Sequence, residues 1–408
     1  MSALPLRRNR DFVLLQLGQL LSNAGTQSTS IAYPLLVLAV THSAAKTGVV
    51  SFARVLPMAL LALPAGVAAD RWNRKWLMIA SDGVRLAAVG GLALTILFGH
   101  TAFWVIAFVA LVEGSGATIF RSAQAGAIRS VVPRVQLPAA VSTQVGRQAA
   151  VQLAGPPVGG ALFGLARSLP FLVDAASYSL STISLLAVRA RFQEERERNR
   201  APLRSQVAEG FRFLLNQPFL RTCALLFALG NFIGPGVLLA LVVIGRRQGL
   251  SGAEIGALAA AFGASLLVGS LASGLVRRLL PIWAILVLEL WTWIGCAAFL
   301  VWPSVYVLTA AMLPTGFAIP STDSVVAGYR IAMTPDRLLG RVESVRSTLS
   351  LVIAPLGPLV AGLLLGAASP RATIAVFAAC GLVLALWGTL SPAIRAAPSL
   401  DELASAGP

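Results

Sequence analysis

The sequence predicts an all-α membrane protein of about twelve transmembrane helices in two pseudo-symmetric six-helix bundles. Three observations carry that expectation. The first is composition: 57% of the 408 residues are hydrophobic and only 12% are charged. A water-soluble domain covers its surface with roughly 25% charged residues, so most of this surface has to meet lipid. The second is a succession of apolar runs near the length of about 20 residues that a helix needs to cross a bilayer core. The third is an internal repeat. Gly155-Pro156-x-Val158-x-Gly160-x-Leu162-x-Gly164 returns as Gly357-Pro358-x-Val360-x-Gly362-x-Leu364-x-Gly366, an offset of 202 residues. The same offset relates Pro133 to Pro335, Gly126 to Gly328 and Gly114 to Gly316 without a gap.

The spans follow in order. Residues 1–190 form the first bundle, with runs at 12–40, 47–69, 75–98, 102–127, 139–165 and 169–190. Residues 218–408 form the second bundle and a short tail, with runs at 219–245, 253–276, 282–302, 304–330, 340–366 and 370–392. Each run is read as a helix because lipid offers no partner for a free N–H or C=O. Residues 191–217 are the one long polar segment. Glu194-Glu195-Arg196-Glu197-Arg198 reads as a solvated connector, and 207–215 as an amphipathic helix suited to the membrane surface. Within the fifth span, Gly155, Gly159 and Gly160 allow close helix contact. Pro156 and Pro157 remove backbone donors and are expected to bend it.

The net charge of +16 does not point to nucleic acid. The arginines sit in short loops between apolar runs, the pattern that sets membrane topology. One side carries Arg7, Arg8, Arg10, Arg71, Arg74, Lys75, Arg129, Arg134, Arg277, Arg278, Arg337, Arg341 and the linker arginines. The other carries only Lys46, Arg167, Arg246, Arg247 and Arg371. Both termini and the linker are therefore expected on the cytoplasmic side of a multi-pass cell-membrane protein. The first run is too long for a signal-peptide core and lacks a small-residue cleavage site. Cys223, Cys296 and Cys380 lie in apolar runs without metal-ligand spacing. No phosphate-cradling loop, metal constellation or nucleophile–base set is present, so neither catalysis nor a cofactor is expected. His42 and His100 read as surface residues near outer loops.

The loop after the second span reads Gly66-Val67-Ala68-Ala69-Asp70-Arg71-Trp72-Asn73-Arg74-Lys75. Its basic cluster fixes the loop on one side. Its carboxylate suits a helix N-terminus, where orphan N–H groups favour an anion. A contact of that kind can hold one conformation and break in another.

At these residues the chain resembles the major facilitator superfamily. Gly155, Pro156, Gly159 and Gly160 resemble the fifth-span motif of its drug exporters. Asn9-Arg10-Asp11-Phe12, Pro335-Asp336 and Gly340-Arg341-Val342 look like the branch of enterobactin exporters and macrolide-efflux proteins. The resemblance covers nearly the whole chain. It implies a bacterial carrier, monomeric, in which Asp70, supported by Arg71, Arg74 and Lys75, meets the start of the eleventh span at Asp336, Gly340 and Arg341 in one state. It implies proton-coupled export of lipophilic or amphipathic small molecules by alternating access. A siderophore or lipid-like metabolite is the alternative cargo, and a transport-silent sensor or scaffold is the alternative of another class. Two departures stand out. The first span has Thr26 after Gly25 where relatives often carry an acid, and Ala110 stands where many proton-coupled exporters have an arginine.

Ionisable residues inside spans point to function, since each costs roughly 2.5–3.5 kcal/mol on insertion scales. Glu113 lies near the middle of the fourth span with no arginine one turn away, so it is expected to take up and release a proton. Asp323 and Glu289 are the other coupling candidates. Arg121 is the repeat counterpart of Asp323, and the two are expected to pair when one side closes. Arg147 and Arg346 are expected to line a cavity or gate. Asp82 and Arg85 are expected to pair within one helix, and Arg54 and Asp174 toward the outer side.

Overall fold

The computed structural model describes residues 6–190, 192 and 203–395; the side chains of Arg7, Ala125, Arg129, Arg134, residues 203–207 and Asp336 are not described. The charged run Glu194–Arg198 and the tail after Arg395 lie outside these residues. All regular structure among the described residues is helical. Two compact units emerge. The first comprises Met1–Glu197 with Gly245–Ala260, and the second Arg198–Ile244 with Ala261–Pro408.

The first unit is built from α1 (Arg10–Thr41), α2 (Ala44–Arg71), α3 (Arg74–Leu97), α4 (Phe103–Val131), α5 (Leu137–Leu165) and α6 (Leu169–Ala187). Polar caps set the starts of α1, α2 and α3. Asn9 Oδ1 accepts from Phe12 N at 3.2 Å, Ser43 Oγ from Lys46 N at 3.3 Å, and Asn73 Oδ1 from Lys75 N at 2.9 Å. His42 ends α1 in the left-handed region at φ 52°, while Gly99 follows α3 at φ 72°. α4 packs on α2 and α3, and α1 packs on α5 and α6. Small residues set these approaches, as lipid supplies no hydrophobic drive between helices. A Cβ on Gly114 would collide with the Arg54 carbonyl oxygen, and one on Gly159 with that of Ser28. The basic end is closed by Phe12, Leu15, Met78, Phe120, Ile128 and Val131, all buried together.

The second unit contains α7 (Leu203–Asn216), most of α8 (Pro218–Arg247) and α9 (Gly252–Leu279), α10 (Ile282–Thr292), α11 (Ala298–Val301), α12 (Val305–Met333), α13 (Asp336–Ile353), α14 (Leu356–Ala367), α15 (Pro370–Leu390) and α16 (Pro392–Arg395). α9 starts with a reciprocal cap: Glu254 Oε2 accepts from Ser251 N at 2.7 Å and Ser251 Oγ from Glu254 N at 3.2 Å. The repeat survives in packing. Gly316 on α12 meets Ser265 on α9 as Gly114 on α4 meets Arg54 on α2. Gly357 meets the Phe232 carbonyl on α8 as Gly155 meets Gln27 on α1.

Ten helical segments are long and apolar enough to cross a membrane. α1 and α5, at 32 and 29 residues, have the length as well. α1 buries Gln16, Gln19, Ser22, Ser28 and Thr29, so its polarity faces protein rather than lipid. With these two, the helices among the described residues are consistent with the roughly twelve spans that the sequence predicts.

Three details go beyond the sequence reading. α5 runs as one continuous helix through Pro156 and Pro157, whereas its counterpart is interrupted between α13 and α14. There Pro355 joins Pro358, so N–H donors are missing from consecutive turns. The ninth span is also divided: a 3-10 turn, Trp293–Ala297, separates α10 from α11. Trp293 is buried at that turn, against Gly234 of α8 and Gly381 of α15. Finally, the amphipathic linker helix α7 packs on α13. Gly210 lies against the Arg341 backbone, and Glu209 forms an ion pair with Arg341.

Candidate functional site

The first unit encloses five ionisable side chains drawn from four helices. Glu113 of α4 is 1% exposed, and Asp82 of α3 and Asp174 of α6 are fully buried. Arg54 Nε donates to Glu113 Oε2 at 2.6 Å and its second amino group to Oε1 at 3.2 Å, a bidentate fork. The same group of Arg54 reaches the Thr26 carbonyl at 3.1 Å and Thr29 Oγ1 at 3.2 Å. Arg85 pairs with Asp82 Oδ1 at 3.2 Å and donates to Thr26 Oγ1 at 2.7 Å and the Tyr178 hydroxyl at 2.8 Å. Its distance to Glu113 Oε1 is 3.9 Å. Both guanidiniums also lie over rings, Arg54 over Tyr33 at 4.9 Å and Arg85 over Tyr178 at 4.0 Å.

The fold assembles this cluster through the sequence Glu113-Gly114-Ser115-Gly116. Gly114 lets the α2 backbone approach at Arg54. Gly116 leaves room for the Arg85 stem, whose Cγ would be 2.7 Å from an added Cβ. No arginine stands one turn away on α4, as the sequence shows, but Glu113 has a basic partner from another helix, Arg54 of α2. The expected pairing of Arg54 with Asp174 is corrected. Arg54 is turned to Glu113, and Thr29 stands between: Thr29 Oγ1 donates to Asp174 Oδ2 at 3.1 Å. The pairing within α3 of Asp82 and Arg85 is present.

The other predicted residues separate into three places. In the second unit, Asp323 and Arg346 line a cavity of about 590 Å³ together with Asn231, Arg330, Ser347 and Ser350. Glu343 bridges the two arginines, at 2.7 Å from each. Glu289 is buried on α10 and is not among the residues that line the cavity. In the first unit, Arg147 ties α5 to α1, donating to the Gln16 carbonyl at 2.6 Å, to Gln16 Oε1 at 2.7 Å and to Gln19 Oε1 at 3.1 Å. Arg121 is exposed on α4 with an amino group 3.1 Å from Met58 Sδ.

The third place is the basic side. Asp70 pairs with Arg74 at 3.2 Å, and Arg74 Nε donates to the Ala69 carbonyl at 3.1 Å. Gly126 leaves space for the Arg74 guanidinium. Lys75 Nζ caps α6, donating to the carbonyls of Leu186 at 3.3 Å and Val188 at 2.7 Å, where a cation complements the helix dipole. Asp11 accepts from the N–H groups of Arg189 and Ala190 at 3.2 and 2.9 Å. Gly66 and Gly340 have open space where a side chain would stand. Among the described residues, no group of three His, Cys, Asp or Glu could hold a metal ion.

Sequence reasoning missed the roles of Thr26, Thr29 and Tyr178. Their signals were present. Asp174 and Tyr178 are four apart, on one helix face, and Gly25 opens α1 opposite them.

The sequence profile of the transmembrane secretion effector family matches residues 1–406. The multidrug efflux pump Tap of Mycobacterium tuberculosis is 28% identical over 407 residues, covering 96% of this chain and 94% of its own. The enterobactin exporter EntS of Shigella boydii is 26% identical over 366 residues, covering 88% and 86%. Among solved structures, the nucleoside transporter NupG superposes with a TM-score of 0.75 at 12% identity, over 93% of this chain and 99% of that one. A bacterial homologue of the lysosomal transporter Spinster gives 0.75 at 14%, over 96% and 98%. At these identities the superpositions establish the fold.

Proposed function

Since the chain belongs to the transmembrane secretion effector family of the major facilitator superfamily, we propose that it exports lipophilic or amphipathic small molecules in exchange for protons. The observation that carries this reading is the buried cluster of Arg54, Arg85, Asp82, Glu113 and Asp174. Each such group costs several kcal/mol in a spanning helix, a cost that a passive scaffold has no reason to bear. A carrier that moves protons needs carboxyl groups inside the membrane. The likeness to the pump Tap supports drug-like cargo.

In this reading the bundles of residues 1–190 and 218–408 rock about a central path. Gly66, Asp70, Arg71, Arg74 and Lys75 form the movable latch with Asp336, Gly340 and Arg341. Gly155, Pro156, Gly159 and Gly160 form the close-packed point at which α5 bends. Glu113, Asp323 and Glu289 are the coupling candidates, while Arg121, Arg147 and Arg346 shape cavity and gate. The protein works as a monomer in a bacterial cell membrane with both termini cytoplasmic.

A siderophore cargo is the second reading. The polar lining of the second unit's cavity, with Asn231, Arg330, Arg346, Ser347 and Ser350, suits a ligand rich in hydroxyl and carboxyl groups. The likeness to EntS supports it.

The test is transport by the full chain in proteoliposomes with an imposed pH gradient, using ethidium and ferric-free enterobactin as probes. Gradient-driven accumulation of ethidium supports drug export, and of enterobactin alone the second reading. Binding of either probe without gradient-driven flux would sink proton coupling.

A further inference from the structure

We propose that Asp174 is the group that carries the exchanged proton, and that Glu113 serves as the ion-pair partner of Arg54. The inference rests on the proton-coupled reading above and names its site. It follows from charge and from hydrogen-bond donors.

The cluster holds three carboxyl groups, Asp82, Glu113 and Asp174, against two guanidiniums, Arg54 and Arg85. Arg54 is forked onto Glu113 and Arg85 is paired with Asp82. Asp174 is the remainder: among the described residues no basic group lies within ion-pair distance of it. An unpaired carboxylate in a buried site is costly, and the usual resolution is a bound proton.

The donors around Asp174 agree. Two hydroxyls reach Oδ2, from Thr29 and from Tyr178, both at 3.1 Å. The Thr29 proton has a second taker, the Thr26 carbonyl at 2.9 Å. Tyr178 in turn has Thr26 Oγ1 at 3.0 Å. The other oxygen, Oδ1, meets only Ser177 Oγ at 3.5 Å, whose proton serves the Asp174 carbonyl at 2.7 Å. A charged Asp174 would leave Oδ1 without a good donor, whereas a carboxylic acid brings its own.

The same hydroxyls supply a way for the proton to act. Thr29 Oγ1 lies 3.2 Å from Arg54 and 3.1 Å from Asp174, and Tyr178 lies between Arg85 and Asp174. Among the described residues, the charged or titratable groups that act on Asp174 are Tyr33 from α1, Arg54 from α2, Arg85 (itself paired with Asp82) from α3, Glu113 from α4, and Tyr178 from its own helix. Loss of the proton to water gives the two guanidiniums a third carboxylate to share and draws Arg54 or Arg85 from its present partner. Contacts of α2 and α3 with α4 then change with protonation.

The test is infrared spectroscopy of the purified full chain at neutral pH, reading the C=O stretch of a protonated carboxylic acid, with Asp174→Asn, Asp82→Asn and Glu113→Gln compared. The expected result is a band in the wild type that disappears only in Asp174→Asn. A band lost only in Asp82→Asn or Glu113→Gln, or no band in the wild type, overturns the proposal. A second arm uses proteoliposomes and ethidium. Asp174→Asn should keep ethidium counterflow, which needs no net proton movement, and lose accumulation driven by the pH gradient by at least tenfold. Gradient-driven accumulation at the wild-type level in Asp174→Asn also overturns the proposal. A wild type with counterflow but no gradient-driven accumulation would sink proton coupling itself. An Asp174 band in that protein would mark a resident proton, and the exchange role would fall with it.

Discussion

A methyl group added at Gly25 would stand 2.5 Å from Oδ1 of Asp174 and 2.9 Å from its Cα. The absence of a side chain on α1 is therefore what admits the α6 carboxyl into the cluster. Gly25→Ala should push α6 away and cost about 1–3 kcal/mol, the usual range for overpacking. A lower midpoint in thermal denaturation of the detergent-solubilised protein checks it. An unchanged midpoint would show that α1 and α6 separate freely.

Arg54 and Glu113 form a buried pair in which each protects the other. Removing one partner leaves an uncompensated charge, so Arg54→Gln should destabilise by about 3–5 kcal/mol. Arg54→Gln with Glu113→Gln should cost less than the sum of the singles, with a coupling of about 0.5–3 kcal/mol. Thermal midpoints of the four proteins close the cycle, and strict additivity would mean that the fork contributes nothing.

The ion pair of Glu209 with Arg341 is different in kind, since its side chains are 43% and 27% exposed. Such a pair is worth about 0–1 kcal/mol. Glu209→Ala should leave the thermal midpoint nearly unchanged while loosening α7 from α13. Faster limited proteolysis within 203–216 is the expected sign, and Glu209→Arg with Arg341→Glu should restore protection. Equal cleavage rates in all variants would mean that apolar packing alone holds the linker helix.

Asp323 presents an exposed carboxylate to the cavity of the second unit. Asp323→Asn should weaken binding of the cation ethidium about tenfold, the effect of losing roughly 1.4 kcal/mol. Binding of a neutral dye of similar size should be unaffected. Fluorescence titration of the purified protein measures both, and equal weakening would assign Asp323 a structural rather than a charge-selective role.

The spans were legible because the lipid imposes length and hydropathy on each helix independently. What a helix meets on its inner face was less legible. Glu113 could be placed at mid-span from its neighbours in sequence, but its partner came from α2, across a contact that Gly114 permits. Asp174 had an arginine at a comparable depth in Arg54, yet depth does not fix direction, and Thr29 intervened. The break at Ala354 and Pro355 was hidden because the repeat drew attention to Pro156 and Pro157, while Pro355 has Leu153 as its counterpart. The basic side was legible as charge, whereas the use of Lys75 as a cap on α6 depends on where α6 ends.

The polar face of α1 bears on how the chain enters the membrane during synthesis. Gln16, Gln19, Ser22, Ser28 and Thr29 are buried largely because α5 and α6 lie against α1, and those helices follow these residues by more than a hundred positions in the chain. Until then α1 faces the insertion machinery with side chains that partition poorly into hydrocarbon. Its final seat is set by the arrival of α6, so the first half inserts as a cooperative group, whereas α8 is apolar enough to enter lipid as it is made.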